Sequence, residues 1–358
     1  MKQKNLIAGV VIIGIILAIG ILQSTFSTTI PPQKSSGVIL TNETVLAEKA
    51  MKYASGVDFV QPSGFLNSEP FSLKDVVGKK VILIDFWTYS CINCIRTQPY
   101  LNAWHKQYED DGLLIVGVHT PEFDFERDIE NVRTAVTHEN ILYPVVLDND
   151  YGTWRAYNNR YWPRKYLIDI DGFIVYDTIG EGNYDKTEDA IRAALDERRE
   201  RLGLEDLRDA MVAVAPEYTT DFTKPRTPEL YFGTNFDRGQ CGNCAGSLQI
   251  GTASFSVPRS MIRDTFYFNG TWSTTTEYSE AVTESSVTLL YTSKDVYAVL
   301  GTRNTTGSVR IYSDGVFERE IAISDQTLYT LVNSQTYSSH ELRIELSPGV
   351  QLYTYTFG

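Results

Sequence analysis

Val81-Ile-Leu-Ile-Asp-Phe-Trp-Thr-Tyr-Ser-Cys-Ile-Asn-Cys94 joins a strand to a helix and carries two cysteines across the join. Six of its first seven residues are apolar, the pattern of a strand buried on both faces. Beyond Cys94, residues Ile95, Leu101, Ala103, Trp104 and Tyr108 recur at roughly helical spacing. Cys91 and Cys94 therefore fall where a buried strand feeds the first turn of a helix. Free amide N–H groups and the positive end of the helix dipole gather there, and both favour a thiolate. In such pairs the first sulfur is commonly the exposed nucleophile, and the second, a turn further in, closes a disulfide on it. The spacing suits thiol–disulfide exchange.

Asp85 sharpens this reading. A carboxylate inside a doubly buried strand costs several kcal/mol unless it is paired or protonated. Beneath a CxxC pair it has a use, accepting the proton of the inner cysteine as that sulfur attacks a mixed disulfide. The plainer alternative is an aspartate satisfied by backbone amides.

These residues resemble thioredoxin. Ile84-Asp85-Phe86-Trp87, three residues, Cys-x-x-Cys, and Pro99 inside the following helix match it in order. Ser90 and Ile92-Asn93 replace thioredoxin's tryptophan and Gly-Pro, so the redox poise is not transferred. The chain is similar over a longer stretch, Val57 to Gly358, to the soluble half of DipZ-type cytochrome c biogenesis proteins. Phe86 to Arg96, Gly117-Val-His-Thr-Pro-Glu-Phe123, Arg160-Tyr-Trp-Pro163, Gly180-Glu-Gly182 and Tyr353 to Gly358 carry that similarity. From the residues alone, Pro163 is a strand-entry or turn proline. The resemblance implies a cis Trp162-Pro163 bond facing the cysteines, with Trp162, Pro163 and Trp87 as substrate-binding residues. It also implies a thioredoxin-like α/β domain, a β-sandwich of jelly-roll, carbohydrate-binding-module-like shape, and no cofactor.

The 358 residues allow two domains with true cores. A net charge of -13 and no Lys/Arg cluster beyond residues 1–4 argue against nucleic acid as a partner. Lys2 and Lys4 precede an apolar run from Leu6 to Leu22, which at ~1.5 Å per residue reaches ~26 Å, enough for a short membrane span. An uncleaved single-pass transmembrane anchor is the expectation, with a cleavable signal as the alternative. Lysines on the short side place the rest of the chain outside the cytoplasm.

Residues 1–23 are thus read as the membrane segment, and 24–56 as a spacer and lead-in helix over Glu43 to Ala54. Residues 57–204 are the thioredoxin-like domain, 205–227 a proline-marked linker, and 228–358 the β domain. Inside the first domain the pattern predicts a strand over Leu113 to Val118 and one helix over Phe123 to Thr137. A short strand at Val145 to Leu147, a hairpin about Asp171-Gly172 and a helix over Asp185 to Leu202 follow. In the β domain, short runs at Thr265–Phe268, Ser286–Tyr291, Val296–Leu300, Val309–Tyr312, Glu341–Leu346 and Leu352–Phe357 read as strands. Asn269-Gly270, Asp314-Gly315 and Pro348-Gly349 read as turns between them.

A second pair, Cys241-Gly-Asn-Cys244, lies among glycines without a flanking buried strand or helix. It reads as a structural disulfide, as a second redox pair relaying electrons with Cys91 and Cys94, or, less naturally, as half of a metal site. His119 and Glu122, at and after a strand end, are accessory candidates near the active site. No Gly-rich phosphate loop and no Ser-His-Asp order stands out. The reading that follows is a membrane-anchored extracytoplasmic oxidoreductase acting on protein disulfides, with Cys91 attacking, Cys94 resolving and Asp85 managing the proton. The family resemblance points to cytochrome c maturation or disulfide maintenance, with reductant from a CcdA-like membrane partner. The rivals are a thiol peroxidase, whose motif would place a proline at Ile84, and a non-catalytic binder of glycans or envelope proteins.

Overall fold

The structure is a computed structural model that describes residues 42–204, 214, 221, 223–224 and 226–358. The expected anchor at Leu6 to Leu22 and most of the expected linker lie outside these residues. Among the described residues, no helix is long and apolar enough to cross a membrane. A helix α1 (Asn42–Lys52) matches the lead-in helix.

The apolar run before Cys91 forms β2 (Val81–Trp87), buried along its whole length at the middle of a six-stranded sheet. On one side it runs parallel to β3 (Leu113–His119), which runs parallel to β4 (Val145–Leu147), and β1 (Gly64–Leu66) closes that edge antiparallel. On the other side β5 (Arg164–Ile168) and β6 (Ile174–Ile179) follow antiparallel. Alternation along β2 feeds two cores. Val81, Leu83 and Trp87 join Leu101 and Trp104 of α2 (Ile92–Tyr108), while Ile82, Ile84 and Phe86 join Val116, Val118 and Tyr166. Each such side chain contributes roughly 1.5–3 kcal/mol when fully buried. Asp85 is in phase with the first set, so its carboxyl is directed to the side on which α2 packs.

The single helix expected over Phe123 to Thr137 is broken. A 3-10 turn covers Asp124–Arg127, and α3 (Ile129–His138) starts afresh after Asp128. Asp128 has extended backbone and its side chain accepts from the Glu130 amide, so it is the cap of a new helix rather than a residue within one. A short α4 (Gly152–Ala156) and a long α5 (Tyr184–Leu202) complete this part. The β5–β6 hairpin turns through Gly172 at φ +89°, a conformation glycine adopts without strain.

The remaining strands form one nine-stranded sheet. They are β7 (Leu230–Tyr231), β8 (Gly251–Phe255), β9 (Phe266–Thr274), β10 (Ser279–Ala281), β11 (Ser285–Thr302), β12 (Gly307–Ser313), β13 (Val316–Ile323), β14 (Thr327–Leu346) and β15 (Val350–Phe357). Two short expected runs, Ser286–Tyr291 and Val296–Leu300, are fused into β11, which pairs with β9 near its start and with β15 near its end. The sheet thereby folds back on itself around a core of Phe232, Phe268, Trp272, Leu289 and Tyr355. Asn269-Gly270 is no turn between strands. Gly270 takes φ +92° inside β9, where the pairing changes from β11 to β8. Asp314-Gly315 and Pro348-Gly349 do turn the chain, with Gly315 at φ +78° and Gly349 at +87°.

The two sheets meet through aromatic packing. Phe123, Tyr231, Val299 and Tyr353 form one buried cluster, and the Tyr353 ring lies 5.0 Å from both Phe123 and Phe125. Aromatic pairs of this kind add roughly 0.5–1.5 kcal/mol each beyond their buried area.

Candidate active site

β2 delivers the chain to Cys91, whose extended backbone places it as the residue before the first turn of α2. Its carbonyl accepts from the Cys94 and Ile95 amides, both at 3.0 Å, so the helix begins at the motif itself. Both cysteines are free thiols; Cys91 is partly exposed and Cys94 is buried. One sulfur is open to a partner and the other is kept behind it. Burial, a hydrogen bond with the Cys91 thiol and the nearby Cys91 and Asp85 charges push the Cys94 thiol well above the usual range. The inner sulfur therefore needs a base before it can attack.

Asp85 is a buried carboxylate whose charge reaches that thiol. It is 1 % exposed, and burial pushes its carboxyl up to about 6 against the opposing pull of Lys165. Lys165 Nζ lies 3.7 Å from Asp85 Oδ1, both groups fully enclosed, and neither atom has a hydrogen bond. At that distance the pair is an ionic contact, loose enough for the carboxyl to exchange a proton. The two residues are cross-strand partners on β2 and β5. Lys165 was not singled out in the sequence, where it stands beside the apolar run Tyr166-Leu167-Ile168. A lysine bordering an apolar strand two residues past a proline was the available signal.

The Trp162-Pro163 bond is cis, and the Trp162 carbonyl lies 4.0 Å from Cys91 Sγ. The Trp162 indole is fixed by donating to the Thr120 carbonyl at 3.0 Å and by packing against Trp154 at 4.3 Å. Trp87 departs from its expected substrate-binding place. It is buried to 1 %, edge-on to His119 at 5.1 Å, and has no surface to offer a substrate chain. As the last residue of a doubly buried strand, it points into the core. Its indole nitrogen also explains Gly117, where an added Cβ would lie 2.8 Å from Trp87 Nε1.

His119 is stacked on Tyr89 at 5.8 Å, with Nε2 3.4 Å from Thr88 Oγ1. Burial lowers its pKa to about 3, so it is a neutral wall of the loop before Cys91. Glu122 is turned to the second sheet, where its carboxyl meets the Tyr231 hydroxyl at 2.8 Å. Two further groups escaped the sequence reading. Glu126 is fully buried and accepts from Ser90 Oγ at 2.6 Å, one residue before Cys91. Arg96, on the first turns of α2, is buried in an ion pair with Glu181 at 3.1 Å and lies over the Tyr297 ring at 5.5 Å.

Cys241 and Cys244 form a disulfide, 4 % and 8 % exposed, within the core of the second sheet. The Asn243 side chain between them donates to the Phe268 and Ser256 carbonyls and accepts from the Phe268 amide. At Gly242 an added Cβ would lie 2.2 Å from the Tyr267 ring. The whole turn is locked down.

Residues 57–177 match the AhpC/TSA family, and residues 227–358 match the family described as thioredoxin like C-terminal domain. The chain is 36% identical over 307 residues to Protein DipZ of Mycobacterium bovis, covering 83% of this chain and 42% of DipZ. It thus spans less than half the length of that relative. Thiol-disulfide oxidoreductase YkuV of Bacillus subtilis is 28% identical over 133 residues, 37% of this chain and 88% of YkuV. NHL repeat-containing protein 2 of Bos taurus is 42% identical over 132 residues, 36% of this chain and 18% of that protein. The chain is thus similar to DipZ over most of its own length, with a thioredoxin-like α/β domain that matches the AhpC/TSA family followed by a β-rich domain that matches the thioredoxin like C-terminal domain family.

Proposed function

We propose that the chain reduces protein disulfides outside the cytoplasm, from a membrane to which Leu6–Leu22 anchors it. The observation that carries the chemistry is the pairing of a partly exposed Cys91 at a helix start with a buried Cys94 above Asp85. Cys91 thiolate attacks a substrate S–S bond, forming a mixed disulfide and releasing one substrate thiolate, which takes a proton from solvent. Cys94 then attacks the Cys91 sulfur as Asp85 accepts its proton. The second substrate sulfur leaves as a thiolate that takes a proton from solvent, and Cys91–Cys94 is left oxidised. Lys165 steadies the Asp85 charge before that transfer and favours the ionised form that can act as a base. The Trp162 carbonyl beside Cys91 suits an extended substrate backbone laid along the loop.

Net, two electrons pass from the dithiol to the substrate, so a reductant must restore the pair. A CcdA-like membrane donor fits the anchored reading, with cytochrome c maturation or disulfide maintenance as the purpose. Boundaries at 57–204 and 228–358 delimit the two working domains. The AhpC/TSA match keeps a peroxidase reading in view, but Ile84 stands where that motif has proline and the buried resolver is three residues away. The test is insulin reduction driven by dithiothreitol, using residues 37–358. Wild type is expected to be active and Cys91→Ser inactive. Full activity in Cys91→Ser, or peroxide turnover in place of insulin reduction, would overturn the proposal.

A further inference from the structure

Tyr231 stands on β7 of the second sheet, far in sequence from Cys91 and Cys94, yet it is tied to the residue that precedes Cys91. Its hydroxyl lies 2.8 Å from Glu122 Oε1 and 2.8 Å from Glu229 Oε2. The Glu122 amide donates to Glu126 Oε2 at 2.5 Å and the Phe123 amide to the same oxygen at 3.0 Å. Glu126 Oε1 in turn accepts from Ser90 Oγ at 2.6 Å. Tyr231, Glu122, Glu126 and Ser90 thus form an unbroken chain from the β domain to the nucleophile loop, buried for most of its length.

The geometry of the first link is demanding. Two contacts of 2.8 Å on one phenol oxygen need two hydrogens, and Tyr231 has one. A proton held by Glu122 or Glu229 supplies the second, as when two carboxyls share a site. The charged groups facing this trio are Glu126 from the first domain, Arg226 just before the second and Arg238 within it, with Arg238 over the Tyr231 ring at 5.5 Å. Burial first, then Glu229 and Glu126, push the Glu122 carboxyl well above the usual range. The loop carrying Glu122 is therefore held to β7 by a hydroxyl bridge that a phenylalanine could not make.

We infer that Tyr231 is a positioning residue for Cys91, acting through Glu122 and Glu126 on Ser90, so that the β domain is part of the thiol chemistry. The inference rests on Cys91 being the attacking thiol. Two carboxylates of the first domain, Glu122 and Glu126, carry the link from Tyr231 across the domain boundary to the loop of Ser90, and Cys91 follows it.

The test measures the alkylation rate of Cys91 against pH in the full chain, in wild type, Tyr231→Phe and Glu122→Ala. Both variants cut the same link from opposite sides, so Glu122→Ala decides the matter should Tyr231→Phe fail to fold. Either variant is expected to shift the pH midpoint of alkylation and to slow insulin reduction about tenfold, the scale on which small misplacements of reacting groups act. Glu229→Gln keeps a donor on the phenol oxygen and is expected to behave as wild type. A folded Tyr231→Phe or Glu122→Ala with the wild-type midpoint would overturn the inference and assign Tyr231 to packing alone. A wild type that alkylates at Cys91 but does not reduce insulin would instead count against the proposed function, and the alkylation comparison would still decide this link.

Discussion

The chain carries the same spacing twice, Cys91-x-x-Cys94 and Cys241-x-x-Cys244, in opposite chemical states. The first pair is two free thiols at the start of a seventeen-residue helix, one partly open and one buried above Asp85. The second is a closed disulfide inside a turn whose Asn243 is hydrogen-bonded on three sides and whose Gly242 lies against Tyr267. What separates them is surroundings, not spacing. A strand–helix junction supplies amides, a dipole and a buried carboxylate, and leaves one sulfur accessible. A glycine-rich turn packed into a β core supplies none of these. The comparison favours a clip over a relay for Cys241 and Cys244.

The sharpest way to strain this contrast is to remove the base that only the first pair has. Asp85→Asn packs like a protonated acid, so the fold is expected to survive while resolution of the mixed disulfide slows on the order of 100-fold, the scale of general base catalysis. The sign with pH follows from a carboxyl raised to about 6. Below that pH Asp85 carries a proton and cannot accept one; above it the carboxylate can. Rapid-mixing measurements of resolution should therefore rise through pH 6 in wild type and stay flat there in Asp85→Asn. An identical rise in both would return Asp85 to a purely structural role.

A smaller effect is expected from the second pair. Replacing Cys241 and Cys244 together by serine opens a short loop, for which the chain-entropy account gives about 2 kcal/mol of stability. Thermal denaturation should show a melting temperature lower by a few degrees, with insulin reduction unchanged. Loss of activity without loss of stability would make the pair a relay after all.

Much of this was legible in residues 81–94. The buried strand, the helix behind it and the order of the sulfurs follow from apolar patterning and from the two cysteines. What was not legible is what distant residues bring. Lys165 meets Asp85 only because β5 lies antiparallel to β2 in one register, and no local pattern encodes that pairing. Glu126 looked like one charge in a helix, but Asp128 ends that stretch and leaves Glu126 in a tight turn, facing inward to Ser90. The family resemblance implies a substrate-binding Trp87, and burial at the end of β2 puts it out of reach. In the second domain the strand content was legible. The continuity of β11 was not, because its register shift near Ser293 and Asp295 reads as a break in a linear scan.

The account stands or falls on which sulfur attacks. In a Cys94→Ser variant the resolver is gone, so a protein disulfide substrate should remain covalently attached and can be mapped by peptide mass spectrometry under non-reducing conditions. The substrate cysteine is expected to be linked to Cys91, with Cys241 and Cys244 still joined to each other. Linkage to Cys241 or Cys244, or no trapped substrate at all, would contradict it.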